Sequence, residues 1–153
     1  MENEKSIDVL NTLIEINNDR IEGYETAMDE TNEADLKSLF TRFIQHSSKF
    51  KSELVSEVTR MGGEPEEGTR VSGKIYRIWM DVKAALTGKD RKAVLNSCEY
   101  GEDVAVATYK EVIEDHFNEL NDALQKLITT QYAQVKADHD SVRNLRDLAV
   151  EHA

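Results

Sequence analysis

Glu102 is a carboxylate in the middle of an otherwise apolar helix face, within the most regular helical stretch of the chain, Asp90 to Phe117. Three other stretches break their apolar stripes near their own midpoints, at Asn17, at Ser47 and at the pair Asp138–His139, with Gln131 a turn or two before that pair. Aligned helix centres would bring these residues into one polar layer. A dry layer must bond to itself, to water or to a metal, because each unpaired buried polar group costs about 1–3 kcal/mol and a lone charge costs more. The chemistry on offer is therefore metal ligation by Glu102 and His139, or a hydrogen-bonded network that orders the interior. A third reading turns Glu102, beside Gly101, toward solvent.

Spacing tests the metal reading. Two-metal carboxylate sites in helical bundles take a Glu from each of two helices and Glu-x-x-His from each of the other two. Residues three apart share a helix face, so both side chains reach one ion. Here the residues three before the histidines are Phe43, Ile113, Lys136 and Ala149, and no Glu-x-x-His or Asp-x-x-His occurs. No cofactor is expected on this ground, with iron or zinc at a non-standard site around Glu102 and His139 as the alternative. Plainer roles exist for each member. Asn17 sets helix register, Ser47 permits close packing, His139 bonds a carboxylate and Cys98 fills the core. His116 and Glu119, beside Asp115, offer a surface site at a helix turn. Nothing resembles a phosphate loop, a Ser/His/Asp set or a Cys/His pair at helical spacing.

The elements that must position these residues are helices. The first is expected from a cap at Ser6 to Glu30, with Ile7, Leu10, Ile14, Ile21, Tyr24 and Met28 inward. Gly23 lies inside it and costs about 1 kcal/mol against Ala unless a neighbour approaches closely there. The second, capped by Thr31 or Asn32, carries Leu36, Phe40, Phe43, Phe50, Leu54, Val58 and Met61, and stops at Gly62-Gly63 before Pro65. Residues 64–73 read as a loop. A shorter helix, Lys74 to Leu86, turns Ile75, Ile78, Trp79, Val82 and Leu86 inward. The next presents Val94, Cys98, Gly101 or Glu102, Ala105, Tyr109, Val112 and His116. The last, Glu119 to Val150, presents Leu120, Leu124, Leu127, Ile128, Gln131, Val135, Val142, Leu145 and Ala149. A long, partly helical link is what a bundle needs when two consecutive long helices are not antiparallel neighbours. The expected fold is all-α, a ferritin-like four-helix bundle with a helical crossover between the second and third long helices, in one domain spanning 1–153. A simple up-down bundle with a decorated loop is the runner-up.

The net charge is −11 with a pI near 4.8, so the basic footprint of nucleic-acid or anionic-membrane binding is missing. No run of 18 apolar residues and no signal-peptide pattern occur. The single Cys98 cannot form an internal disulfide. These features make a soluble cytoplasmic protein the expectation.

Over nearly its whole length the chain resembles an uncharacterised bacterial family of ferritin-like four-helix-bundle proteins. The matching segments are Leu10–Tyr24, Phe50–Val58, Gly73–Gly88, Cys98–Tyr109 and His139–Asp147. That family often has His where this chain has Tyr76. The likeness to bacterioferritin- and rubrerythrin-type proteins is at the level of fold. Aligned on the Gly-Gly-x-Pro turn and on Tyr109-Lys110-Glu111, it implies metal-ligand positions at Asn17, Ser47, Phe50, Glu102, Lys136 and His139. Only Glu102 and His139 keep the ligand types, so the resemblance implies a degenerate di-iron site. It further implies a non-enzymatic bundle in a stress-related setting, acting through its acidic surface or as a homo-oligomer such as a dimer. The competing expectations are a metal-binding or oxidative protein at Glu102 and His139, and a partner-binding helical module around Trp79.

Overall fold

Gly62 and Gly63 end a helix in the way their chemistry allows. The computed structural model describes residues 2–68 and 73–151, with side chains placed over 3–68 and 77–148. In it, helix α2 (Ala34–Arg60) closes on Gly62 at φ +81°, and the N–H groups of Gly62 and Gly63 return to the carbonyls of Thr59 and Val58, each at 3.0 Å. This pair of reverse bonds needs a left-handed residue, which glycine adopts without strain. All the secondary structure among the described residues is helical: α1 (Glu2–Glu30), α2, α3 (Gly73–Thr87), α4 (Arg91–Asp115) and α5 (Asp122–Glu151), with a short 3-10 turn at Phe117–Glu119. The all-α expectation therefore holds. Among the described residues no helix is long and apolar enough to cross a membrane.

Several boundaries differ from the sequence reading. α1 begins at Glu2, because the polar residues before Ser6 are good helix formers and acids suit a helix start. Ser6 is thus inside the helix, and its hydroxyl donates instead to the carbonyl of Glu119. The residue before α2 is Glu33, which makes no side-chain cap, while Thr31 accepts the Glu33 N–H. Asp90 does cap α4, accepting from the Ala93 N–H at 3.1 Å. The start of α5 moves to Asp122, where Asn121 accepts from the Leu124 N–H at 2.9 Å. The placements of Ile75, Tyr76 and Ala149 lie outside the described side chains.

Cross-helix bonds give the helix directions. α1 meets α2 at Met28–Thr41 and Arg20–Ser47, and Asn11 reaches Glu64 beyond the end of α2, so the two helices are antiparallel. α4 and α5 meet at Tyr109–Gln131, Asp103–His139 and Glu99–Arg146, again antiparallel. α1 opposes α4 through Asn17–Tyr109 and Arg20–Glu102. α2 and α4 consequently run in the same direction. The stretch 61–90 must carry the chain back along the molecule, and α3 is the helical part of that return.

α3 packs on α4 and α1. Its Trp79 indole lies directly over Gly23, where an added Cβ would sit 2.3 Å from the ring, and beside Gly101, where the same test gives 3.5 Å. This close approach accounts for a glycine inside α1. Ile16 shares a small cavity with Ile78 and Trp79 of α3, and α1 also buries Val9 and Leu13 beyond the stripe expected of it. The apolar core falls into two parts. One gathers Leu10, Ile14, Phe50, Leu54, Tyr109 and Ile128, the other Tyr24, Phe40, Phe43, Leu95, Cys98 and Val142. Buried polar residues lie between them.

Candidate functional site

Arg20 stands at the centre of that polar belt. Arg20 is 1% exposed, and Glu102 and Asp138 are equally dry at 0% and 2%. Nε donates to one Glu102 oxygen at 2.9 Å and a terminal nitrogen donates to the other at 2.6 Å, a forked pair. The same terminal nitrogen reaches Asp138 at 3.1 Å, and the remaining one donates to the Ser47 hydroxyl at 2.8 Å. Asp138 also faces His46 Nδ1 at 2.9 Å and accepts from Gln134 at 3.1 Å. All four long helices thus contribute: Arg20 from α1, Ser47 and His46 from α2, Glu102 from α4, Asp138 from α5. A buried charge persists only when paired and hydrogen-bonded, and these contacts meet both conditions.

The electrostatics follow from this packing. Burial alone would pull the Arg20 pKa down, but the facing Glu102 reverses that, with Tyr24 and Asp138 adding to the rise. Burial pushes the Glu102 carboxyl up, and Arg20 opposes the shift without cancelling it. With each of its oxygens accepting an N–H from a permanent cation, Glu102 is held as the carboxylate. Burial, then Glu102, raises Cys98 far above the ordinary thiol range, so this thiol is a core hydrophobe and not a nucleophile. Burial, Glu102 and Cys98 raise Tyr24 likewise.

A second polar string lies one to two turns along the helices. Asn17 donates to the Leu13 carbonyl at 2.8 Å and to Tyr109 Oη at 2.9 Å. Tyr109 donates to Gln131 at 2.7 Å, and Gln131 donates to Glu53 at 3.2 Å and to the Phe50 carbonyl at 3.3 Å. Burial raises the Tyr109 phenol, although its bond from Asn17 opposes the shift. Asn17 Oδ1 and Tyr24 Oη have no hydrogen-bond partner among the described residues. The space beside Arg20, under Trp79, is a cavity of about 10 Å³, room for at most one water.

The residues singled out by sequence are therefore dispersed over three places. Glu102, Ser47 and Asp138 join around Arg20. Asn17 and Gln131 belong to the Tyr109 string. His139 lies apart from both, partly buried between α4 and α5, where its Nε2 meets Asp103 at 2.6 Å and its Nδ1 meets Asp140 at 3.2 Å. Lys136 is exposed and Phe50 is buried against His46, with ring centroids 6.4 Å apart. His116 Nδ1 lies 3.3 Å from Glu119 at the α4–α5 turn. Arg20 itself was missed, because a cation in the run Asn17-Asn18-Asp19-Arg20 reads as surface. A signal was present: Arg20 lies three residues after Asn17 and four before Tyr24, on their shared face.

Residues 5–115 match a family model described as a domain of unknown function, DUF2383. The chain belongs to that family. The DUF2383 segment spans α1 to α4 and so contains Asn17, Arg20, Ser47 and Glu102, while Asp138 and His139 lie on α5 beyond it. No curated protein matches the chain closely enough to lend it a function.

Proposed function

We propose that this chain is a ferritin-like four-helix bundle in which a guanidinium takes the place of a central di-metal centre, and that it acts as a non-enzymatic, self-associating protein. The parallel run of α2 and α4 joined by a helical return supports the fold assignment. The observation that carries the functional reading is the forked pair between Arg20 and Glu102. Both oxygens of the one central Glu are committed to a permanent cation, and a metal ion placed among them would meet that positive charge. The other positions implied by the resemblance do not fit a di-iron centre either. Asn17 and Ser47 are already hydrogen-bonded, Phe50 has no donor and Lys136 is exposed. A polar belt of this kind ties four helices into one register, which is a role in order rather than in turnover.

Metal analysis of protein purified without chelator, together with oxygen uptake after adding ferrous iron, tests this. The expected results are no iron retained between Glu102 and Asp138 and no oxygen uptake above the buffer rate. Uptake that disappears in Glu102→Gln would overturn the proposal. Self-association is part of the same reading, and light scattering decides it: a dimer or larger species supports it, a monomer contradicts it. The partner-module alternative has less support, since Trp79 is packed over Gly23 and against Tyr24, 4.9 Å between ring centroids.

A further inference from the structure

The outward neighbours of the belt form a second group with different chemistry. Glu99 and Asp103 are one helical turn apart on α4, so both project from the same face. His139 comes from the antiparallel α5 and meets them. One donor atom from each of the three lies within 4.8 Å of the others. His139 Nε2 points at Asp103, and the other ring nitrogen is held by Asp140 at 3.2 Å. A second-shell carboxylate of that kind leaves Nε2 with its lone pair toward the group once a cation displaces the proton there. Glu99 and His139 are mostly buried, with side chains 16% exposed, whereas Asp103 is 51% exposed and keeps the group open on one side.

The charges around the group are unbalanced. Glu99, Asp103, Asp140 and Asp147 face two guanidinium groups, Arg146 on Glu99 and Asp147 and Arg143 on Asp140. Among the described residues, four carboxylates thus face two guanidinium groups, an excess that a divalent cation would offset. Arg146 keeps Asp147 as a partner if Glu99 turns to a cation.

The geometry points to Glu99, Asp103 and His139 as a divalent transition-metal site, of the class filled by Zn²⁺, with water completing the coordination. One imidazole and two carboxylates form a mixed nitrogen and oxygen set, which suits zinc better than magnesium or calcium. Ligand bonds of about 2.0–2.2 Å call for donors roughly 3.3 Å apart around a tetrahedral ion. Binding therefore moves Asp103 slightly away from His139, a change within reach of side-chain rotation. This site is separate from the Arg20 belt and does not depend on the function proposed above.

Calorimetry with ZnCl2 on the full chain tests the site, alongside visible absorption after adding Co²⁺. The expected result is one Zn²⁺ per chain, and a Co²⁺ spectrum of the intense four-coordinate type. His139→Ala and the nearly isosteric Asp103→Asn should each weaken binding at least tenfold while keeping the helical circular dichroism of the parent. His116→Ala, at the distant α4–α5 turn, should bind as the parent does. No binding to the parent, equal binding by His139→Ala and Asp103→Asn, or loss of binding in His116→Ala would each overturn the assignment.

Discussion

The inner and outer clusters use adjacent residues of the same two helices and come to opposite ends. Glu102 and Asp103 are neighbours on α4, as Asp138 and His139 are on α5. One residue turns a helix by about 100°, so each pair divides between the interior and the surface. The inner halves, Glu102 and Asp138, meet the fixed cation Arg20 and are fully dry. The outer halves, Asp103 and His139, meet each other and Glu99 at a half-open surface with excess negative charge. Donor types that look like one metal site in sequence therefore belong to two environments. One is closed by a side chain of this protein, and the other is left for something to enter.

The sharpest break in this comparison is removal of the inner cation. Arg20→Met should cost about 3–5 kcal/mol in urea unfolding, because Glu102 remains buried without its cation and Asp138 keeps only His46 and Gln134. The triple change Arg20→Met, Glu102→Gln, Asp138→Asn removes the charges together and should recover much of that loss. Equal losses would mean that the charges are not the source of the cost.

Alkaline unfolding probes the same dry interior. Cys98, Tyr24 and Tyr109 all have raised pKa values in the fold, and they ionise near about 8.5 and 10 in an unfolded chain. Above those values the unfolded state holds fewer protons than the native state, so stability falls as pH rises. Each group contributes about 1.4 kcal/mol per pH unit once its unfolded form has ionised. Urea midpoints should therefore drop steeply above about pH 10, and less steeply in Tyr109→Phe and Cys98→Ala.

Smaller effects follow from single contacts. Gly23→Ala drives a methyl into the Trp79 ring and should cost about 1–3 kcal/mol, part of which Trp79→Leu should return. Tyr109→Phe at neutral pH should cost about 1–3 kcal/mol by leaving Asn17 and Gln131 short of a partner. Asp103→Asn, at the outer cluster, should change metal-free stability by less than about 1 kcal/mol, as a half-exposed pair does. A loss as large as that of Arg20→Met would erase the distinction between the two clusters.

Much of the helical framework was legible because its signals are local. Gly62-Gly63 stopped α2, Asp90 capped α4, and the apolar spacings marked the inward faces. The site was only partly legible. Periodicity placed Glu102, Ser47 and Asp138 at mid-helix, but it carries no information on how far a long side chain reaches. Arg20 sits at the edge of its stripe and extends into the belt, so its role emerges only when α2, α4 and α5 surround it. His139 was assigned inward with Asp138, although consecutive helix positions cannot share a face. Gly101 and Glu102 were posed as alternatives, and both are buried, because α3 covers the side that would otherwise be solvent.

An anomalous-difference map at the zinc edge, from crystals grown with ZnCl2, tests the central claim most directly. The account predicts guanidinium density between Glu102 and Asp138 with no anomalous peak there, and a peak bonded to His139 Nε2 and Asp103. A peak within coordination distance of Glu102 and Asp138, with Arg20 displaced, would contradict it.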